Sequence, residues 1–469
     1  MRRAEHRTPP DLDVIIVGGG IAGLASAWLL RHRRCVVLEA DTRPGGRIHS
    51  VLSGGQPINL GAHMVPGEGT VVGQLVTETG LPSRALPASL FGLAFAGRRY
   101  LGVSPGLLPF VLPLTISERV AFARLGAKLR LGARKSVVAG RRHPGESVQQ
   151  VRDRVLAFED DRSLADLVGP LPERVRQLFR TLTERNGTDP EHMSAGHGLR
   201  SFANVWEKTA PGSNLVGGTA VLPEALAHGL GHAFRAGHRV TRVRVQPSDG
   251  AVSVSYQSDE GEGVLRAHAC ILATPAFVSS TIAPDLPERT RGALAAIRYG
   301  AFLAVGVQLA GAAPLPWRDT YAIATPGLGF SVLFNHDRML SAEVNDANAH
   351  AVMLFRGASG AEGWMARDHD VLVAQWIEDL ETHFPETRGQ IRDVVLMPWP
   401  SGAPYAFPGR AKLQPDLEAC EPPVVLAGDY LEFPNMEAAA SAGSRAAAQV
   451  DRWLDLQRAP SGARRQVAS

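Results

Sequence analysis

The sequence predicts an α/β fold: a parallel βαβ unit at the start, later segments that return to that unit, and an interleaved α+β part of mixed sheet and helices. Three observations predict it. A buried strand, a glycine turn and a helix stand in register within residues 11–50, and a strand ending in Gly-Asp before a helix recurs near residue 430. Between them, helical periodicity gives way to period-2 alternation.

The opening strand is Val14 to Val17 with Leu12, apolar and mostly β-branched. Gly18-Gly19-Gly20 turns it into a helical run ending near His32. The G-x-G-x-x-G spacing falls on Gly18, Gly20 and Gly23, in the strand-to-helix context that the motif requires. The first glycine permits the turn, the second lets backbone approach a pyrophosphate, and the third lets helix and strand pack closely. The phosphates then rest on the N-terminus of the helix. A second strand, Cys35 to Leu38, ends at Glu39, about twenty residues after Gly18, where a carboxylate accepts both ribose hydroxyls of an adenosine. This is a Rossmann-type adenine-dinucleotide site.

Gly45-Gly46-Arg47 follows, with Arg43 before it. With these residues the stretch resembles the flavin-containing amine oxidase superfamily, whose FAD proteins carry R-x-G-G-R after the second strand. That superfamily takes in amine oxidases, protoporphyrinogen oxidases and carotenoid and squalene-type desaturases. The resemblance implies that Arg47 reaches the FAD phosphates and that Gly61-Ala62-His63-Met64 lies against the flavin ring. Asp41 stands where many members have a basic residue. The run Leu215 to Leu226 resembles the family's G-G-x-x-x-L-x-x-A-L segment, and Val240 matches a position whose backbone meets the adenine. Val424 to Tyr430, a strand emptying into Gly428-Asp429, and the helix opening at Met436-Glu437 resemble the C-terminal A-G-D/E…M-E-G-A signature, with Ala438 for the usual glycine. There the helix N-terminus faces the flavin pyrimidine, and the Asp carboxylate accepts from a ribityl hydroxyl.

Length and composition bound the rest. With 469 residues, two or more parts sharing a long interface are expected. Apolar content of 45% and a net charge of +3 fit an ordinary globular chain and do not argue for nucleic acid. Cys35, Cys270 and Cys420 read as buried thiols of a reducing compartment, so the expected location is cytoplasmic. The start, MRRAEHRTPP, has no apolar segment behind it and reads as a disordered arm. No stretch is long and apolar enough to span a bilayer.

The expected division is FAD-binding segments at 11–100, 206–298 and 416–455, a helical insertion at 101–205, a substrate sheet at 299–415, and disordered tails at 1–10 and 456–469. Arg119 to Arg142 holds eight Lys or Arg residues and no acid. A solvated basic helix face is its simpler reading; peripheral membrane contact through 101–142, or reception of an apolar substrate, is the other. Oligomeric state stays open.

For the chemistry, the resemblance implies hydride transfer from a held C–H bond to flavin N5. Many amine-oxidising members have a lysine in a strand, and aligning Gly300 puts Ala304 there. Monoamine-oxidising members carry a tyrosine before M-E-G-A, and here that residue is Asn435. Some attach FAD through a cysteine near S-G-x-x-Y. Ser401 to Tyr405 has no cysteine, so non-covalent FAD is expected. His63 is the candidate base or hydrogen-bond donor, and Trp399 and Tyr405 are candidates to line the pocket. Asn335-His336-Asp337 reads as a polar loop. The favoured function is C–C or ring dehydrogenation of a bulky apolar molecule in secondary metabolism, desaturase-like. C–N oxidation of an amine, amide or amino acid is the alternative, and flavin binding without turnover the second alternative.

Overall fold

The computed structural model describes residues 12–53, 56–86, 91–206, 212–311, 315–317, 320–336 and 349–458. The first elements are β1 (Leu12–Val17), α1 (Ile21–Leu29), β2 (Cys35–Leu38), β3 (Ser50–Ser53), β4 (Gln56–Asn59) and α2 (Val71–Thr79). Short strands β5 (Ser83–Ala85), β6 (Phe91–Phe95) and β7 (Arg98–Tyr100) lead into six helices. These are α3 (Leu108–Val111), α4 (Ile116–Ala139), α5 (Val148–Ala157), α6 (Leu164–Val168), α7 (Glu173–Thr183) and α8 (Ala195–Ser201). Next come β8 (Ser213–Leu215), α9 (Val221–Leu230), β9 (Phe234–Arg235) and a meander of β10 (Arg239–Val245), β11 (Val252–Ser258) and β12 (Gly261–Leu272). After α10 (Ala276–Ile282) and α11 (Glu288–Ala296) run β13 (Arg298–Ala310), β14 (Ala322–Ala324), β15 (Val332–Asn335) and β16 (Ala349–Gly357). The chain closes with α12 (Ala358–Met365), α13 (His369–His383), β17 (Ile391–Tyr405), α14 (Gln414–Glu418), β18 (Val424–Leu426) and α15 (Met436–Arg458).

Two sheets organise these elements. The first has the order β10-β11-β12-β1-β2-β9, with β18 also paired to β12. β12 is its spine: its first half pairs antiparallel with β11, while Ala267–Leu272 runs parallel to β1 and Cys270–Leu272 parallel to β18. From Val14 onward β1 is buried on both faces, as is all of β2, which is why these residues read as apolar runs. Helices α1 and α15 pack so closely over one face that a Cβ on Gly443 would stand 2.1 Å from the Ala22 carbonyl oxygen.

The second sheet runs β17-β13-β16-β15-β14-β6-β7. Its core is Leu303, Val305 and Val307 of β13 with Trp317, Phe330, Trp376 and Phe384, so α13 covers one face. The six helices form a separate layer with its own core, where Leu125 and Leu129 of α4 meet Leu164, Phe179, Met193 and Leu199.

Two expectations change, and one strand runs on through its prolines. Residues 91–100 belong to the second sheet, because β6 pairs parallel with β14 and β7 folds back on β6. The last helix continues through Arg458, whose guanidinium reaches Asp13 at 2.7 Å, so 456–458 are helical and not a loose tail. β17 is fifteen residues long despite Pro398, Pro400 and Pro404. It sits at the sheet edge, where an absent N–H leaves no ladder bond unmade on the outer side. The segments 1–10 and 459–469, the Gly54-Gly55 turn and Asp337 lie outside the described residues.

Candidate active site

The glycine turn forms a cradle. A Cβ on Gly23 would lie 1.9 Å from the Gly18 carbonyl oxygen, so only glycine lets α1 pack against the end of β1. On Gly20 a Cβ would meet nothing within 4 Å, which leaves the backbone open to an incoming group. No side chain caps α1 and its first turn holds no acid, so its leading amides and dipole face that space. Glu39 closes the far side: its carboxylate accepts from the Gly19 amide and, at 2.8 Å, from the Asp41 amide. Val240 is buried two residues after His238, whose amide donates to the Glu39 carbonyl at 2.7 Å. The Gly45 amide bonds the Gly19 carbonyl at 2.8 Å, and Arg43 braces the turn by donating to the Gly46 and Ile48 carbonyls.

Arg47 joins the two ends of the chain. Its guanidinium meets Asp429 Oδ1 at 2.7 Å across 382 residues of sequence, and donates to the Gly402 carbonyl at 3.2 Å. Burial works against the Arg47 charge, but the Asp429 carboxylate outweighs it and holds the guanidinium above its ordinary range. Gly428 and Asp429 follow β18, which leaves the first sheet beside the end of β12. Tyr405, at the end of β17, lines a small cavity with Asp429, His197 and Glu432.

The strip from Asn59 to His63 is pinned on both sides. Ala62 donates to the Arg47 carbonyl at 3.0 Å, Trp399 Nε1 donates to the Leu60 carbonyl at 2.7 Å, and Thr219 Oγ1 donates to the Ala62 carbonyl at 2.8 Å. A Cβ on Gly61 would stand 2.2 Å from the Arg47 carbonyl oxygen. Trp399 thus holds the strip as much as it lines it.

His63 projects from this strip into an aromatic cluster. Its ring centroid is 4.6 Å from Phe334, 5.8 Å from His336 and 6.0 Å from Tyr321. Nδ1 faces the Gly61 carbonyl at 3.0 Å, so the proton belongs on Nδ1 and the Nε2 lone pair is free. Among the described residues Nε2 has no partner, and neither ring nitrogen of His336 has one. Burial lowers the pKa of both imidazoles, His336 well below its ordinary value with His63 adding to it, so both are neutral at pH 7.

His336 is the residue the sequence reading missed. It is not part of an exposed polar loop but buried, with Asn335 beside it donating to the Trp317 and Thr320 carbonyls. The signal was present: carrying the alternation of β15 two residues past Phe334 puts His336 on the same side.

The C-terminal signature divides its labour. Met436 is buried at the helix start. Asn435 Oδ1 accepts from the Ala438 amide at 2.7 Å and so caps α15. Glu437, expected at the cofactor, has its two carboxylate oxygens bonded to the Val71 and Val72 amides, both at 2.9 Å. It is an anion on the N-terminus of α2, because unpaired first-turn amides attract a carboxylate. Ala304 is buried among Ile58, Leu60 and Met353, so no ammonium faces the wall there.

The fold thus brings together an open glycine turn on a bare helix N-terminus, the Glu39 carboxylate across it and an Arg47–Asp429 pair at the junction. Residues 21–451 match the family described as flavin containing amine oxidoreductase. The chain belongs to that family and is a flavin-dependent oxidase of it. Coproporphyrinogen III oxidase from Mycobacterium tuberculosis is 27% identical over 458 residues, covering 94% of this chain and 98% of that one. The L-glutamate oxidase precursor of Streptomyces viridosporus is 28% identical over 52% of this chain and 42% of its own length. Among solved structures, cyclohexylamine oxidase from Brevibacterium oxydans superposes with a TM-score of 0.74 at 21% identity, covering 95% of this chain and 100% of that one. Putrescine oxidase gives 0.73 at 19%, covering 94% and 99%. These two likenesses establish the fold.

Proposed function

We propose that this chain binds FAD without a covalent link and dehydrogenates a C–C or ring bond in a bulky, largely apolar small molecule. The carrying observation is what stands at positions 304 and 435. Position 304 is a buried alanine and position 435 is spent on a helix cap, so neither the lysine nor the aromatic of amine-oxidising relatives is present. Similarity along nearly the whole length of a coproporphyrinogen oxidase supports a ring substrate. Non-covalent binding is supported by the cysteines: Cys35 and Cys270 are buried in β2 and β12, Cys420 is buried before β18, and none lies on β17.

The residues fit the cofactor. Gly18, Gly20 and Gly23 with α1 would hold the pyrophosphate, Glu39 the ribose, and Arg47 and Asp429 the stretch towards the ring. FAD, when bound, supplies a two-electron acceptor for hydride. The chain's own part is position and polarity. Phe334 and Phe355 exclude water, and His63 Nε2 is a neutral acceptor placed to take a substrate proton.

Anaerobic mixing of the FAD-loaded protein with a reduced tetrapyrrole and with a panel of amines tests this. Bleaching of the visible flavin band by the ring compound is the expected result, and His63→Ala slows it by about 10²-fold or more. Bleaching by an amine or amino acid alone would instead favour C–N oxidation, a reading supported by the L-glutamate oxidase similarity. No bleaching by either would leave a flavin binder without turnover.

A further inference from the structure

We propose that helix α4 and the turn before it form a surface that rests on an anionic lipid bilayer. Half of the large apolar side chains that stand exposed among the described residues fall between Leu107 and Val138. Ile116 is 82% exposed, Phe110 68% and Leu131 57%. Single exposed apolar residues are ordinary, but a contiguous set marks an interaction site.

The set is ordered. Helix α4 has 24 residues, about 36 Å of axis. Its buried positions Leu125, Leu129 and Ala133 fix one face in the helical layer. On the opposite face Ile116, Val120, Ala123, Ala127 and Leu131 follow i, i+4, i+7, i+11 and i+15, a single stripe along the axis. Arg124 and Lys135 flank it on one side and Arg130 on the other. Among the described residues these three cations form no ion pair, and from Arg119 to Arg142 no acid dilutes them. Apolar side chains lying flat between long basic side chains can sink into the acyl boundary while the charges reach the headgroups.

The charge pattern chooses the occupant. A second copy laid on this face would bring like-charged flanks together. A nucleic acid would engage the cations and leave the apolar stripe in water. An anionic bilayer satisfies both, taking the cations at its headgroups and the apolar stripe below them. No helix among the described residues is long and apolar enough to cross a membrane, so the helix lies on the surface and does not insert across it.

Flotation of the FAD-loaded full chain tests the surface, using vesicles of phosphatidylcholine with phosphatidylglycerol against phosphatidylcholine alone. The expected result is recovery with anionic vesicles only, weakened by high salt. Two variants, Ile116→Ser/Val120→Ser/Leu131→Ser and Arg124→Gln/Arg130→Gln/Lys135→Gln, should each lose about tenfold or more in partitioning. Unchanged flavin absorbance and unfolding midpoint show that they are folded. Failure of the unaltered protein to float at low salt overturns the proposal, as does undiminished flotation of the charge variant. It is equally overturned by a concentration-dependent dimer that the stripe variant abolishes without lipid, or by oligonucleotide binding that only the charge variant abolishes.

Discussion

Gly20 and Gly23 are three residues apart and face opposite constraints. Gly20→Ala should leave the stability of the flavin-free protein within about 0.5 kcal/mol of the parent, because its Cβ points into open space. It should still weaken flavin binding, read by fluorescence titration. Gly23→Ala drives a Cβ into the Gly18 carbonyl and should cost about 1–3 kcal/mol in urea unfolding whether flavin is present or not. Arg47→Met leaves the buried Asp429 carboxylate without its cation, a loss of about 3–5 kcal/mol. Adding Asp429→Asn should restore part of that stability and none of the flavin affinity, which separates a structural ion pair from a ligand contact. His197 supplies a pH test. Burial, with Arg200 adding to it, holds its imidazole down at about 3 against an ordinary 6.5. Between those values the unfolded chain binds one more proton, so stability is lost as pH falls below about 6.5, at about 1.4 kcal/mol per pH unit. Asp160, which burial raises to about 6, works in the opposite direction and is common to both proteins compared. His197→Phe should flatten the dependence by one proton's worth in urea titrations at pH 7 and pH 5.

At the level of elements, α15 and α2 are stapled by one carboxylate. Glu437→Gln weakens two charge-assisted bonds to the start of α2 and should cost about 1–2 kcal/mol, with faster amide exchange confined to Val71–Thr79. Asn435→Ala removes the cap of α15 at about 1 kcal/mol. Asn435→Tyr loses the same cap and should therefore bind flavin less well without gaining amine turnover. The elements that were legible beforehand are those whose burial imposes a strict period. β1, α1 and β2 read true because both faces of each strand are covered, and β10 to β12 because alternation and turn residues agree. β17 is hard to read from the sequence, since its three prolines argue against a strand unless the edge position is known. β14 and β15, three and four residues long, carry too little pattern to register, and their partners are set by tertiary pairing.

Across the whole molecule, the cofactor side of the site was readable because glycines, Glu39 and Arg47 must stand at fixed spacings to meet a dinucleotide. The substrate side was not. His63, Tyr321 and the Phe334–His336 pair come from three separate stretches, and only the closed sheet brings their rings within about 6 Å of His63. A residue such as His336 looks like loop polarity in one dimension and like a buried neutral imidazole in three.

The Arg458 guanidinium meets the Asp13 carboxylate at 2.7 Å, so side chains from the first and last elements of the described chain touch. A short linker could therefore join them, and new ends could be opened at the exposed Asp259-Glu260 tip between β11 and β12. In such a circular permutant Asp429 would precede Arg47 along the backbone, and the segments that carry the two partners of that ion pair would leave the ribosome one after the other.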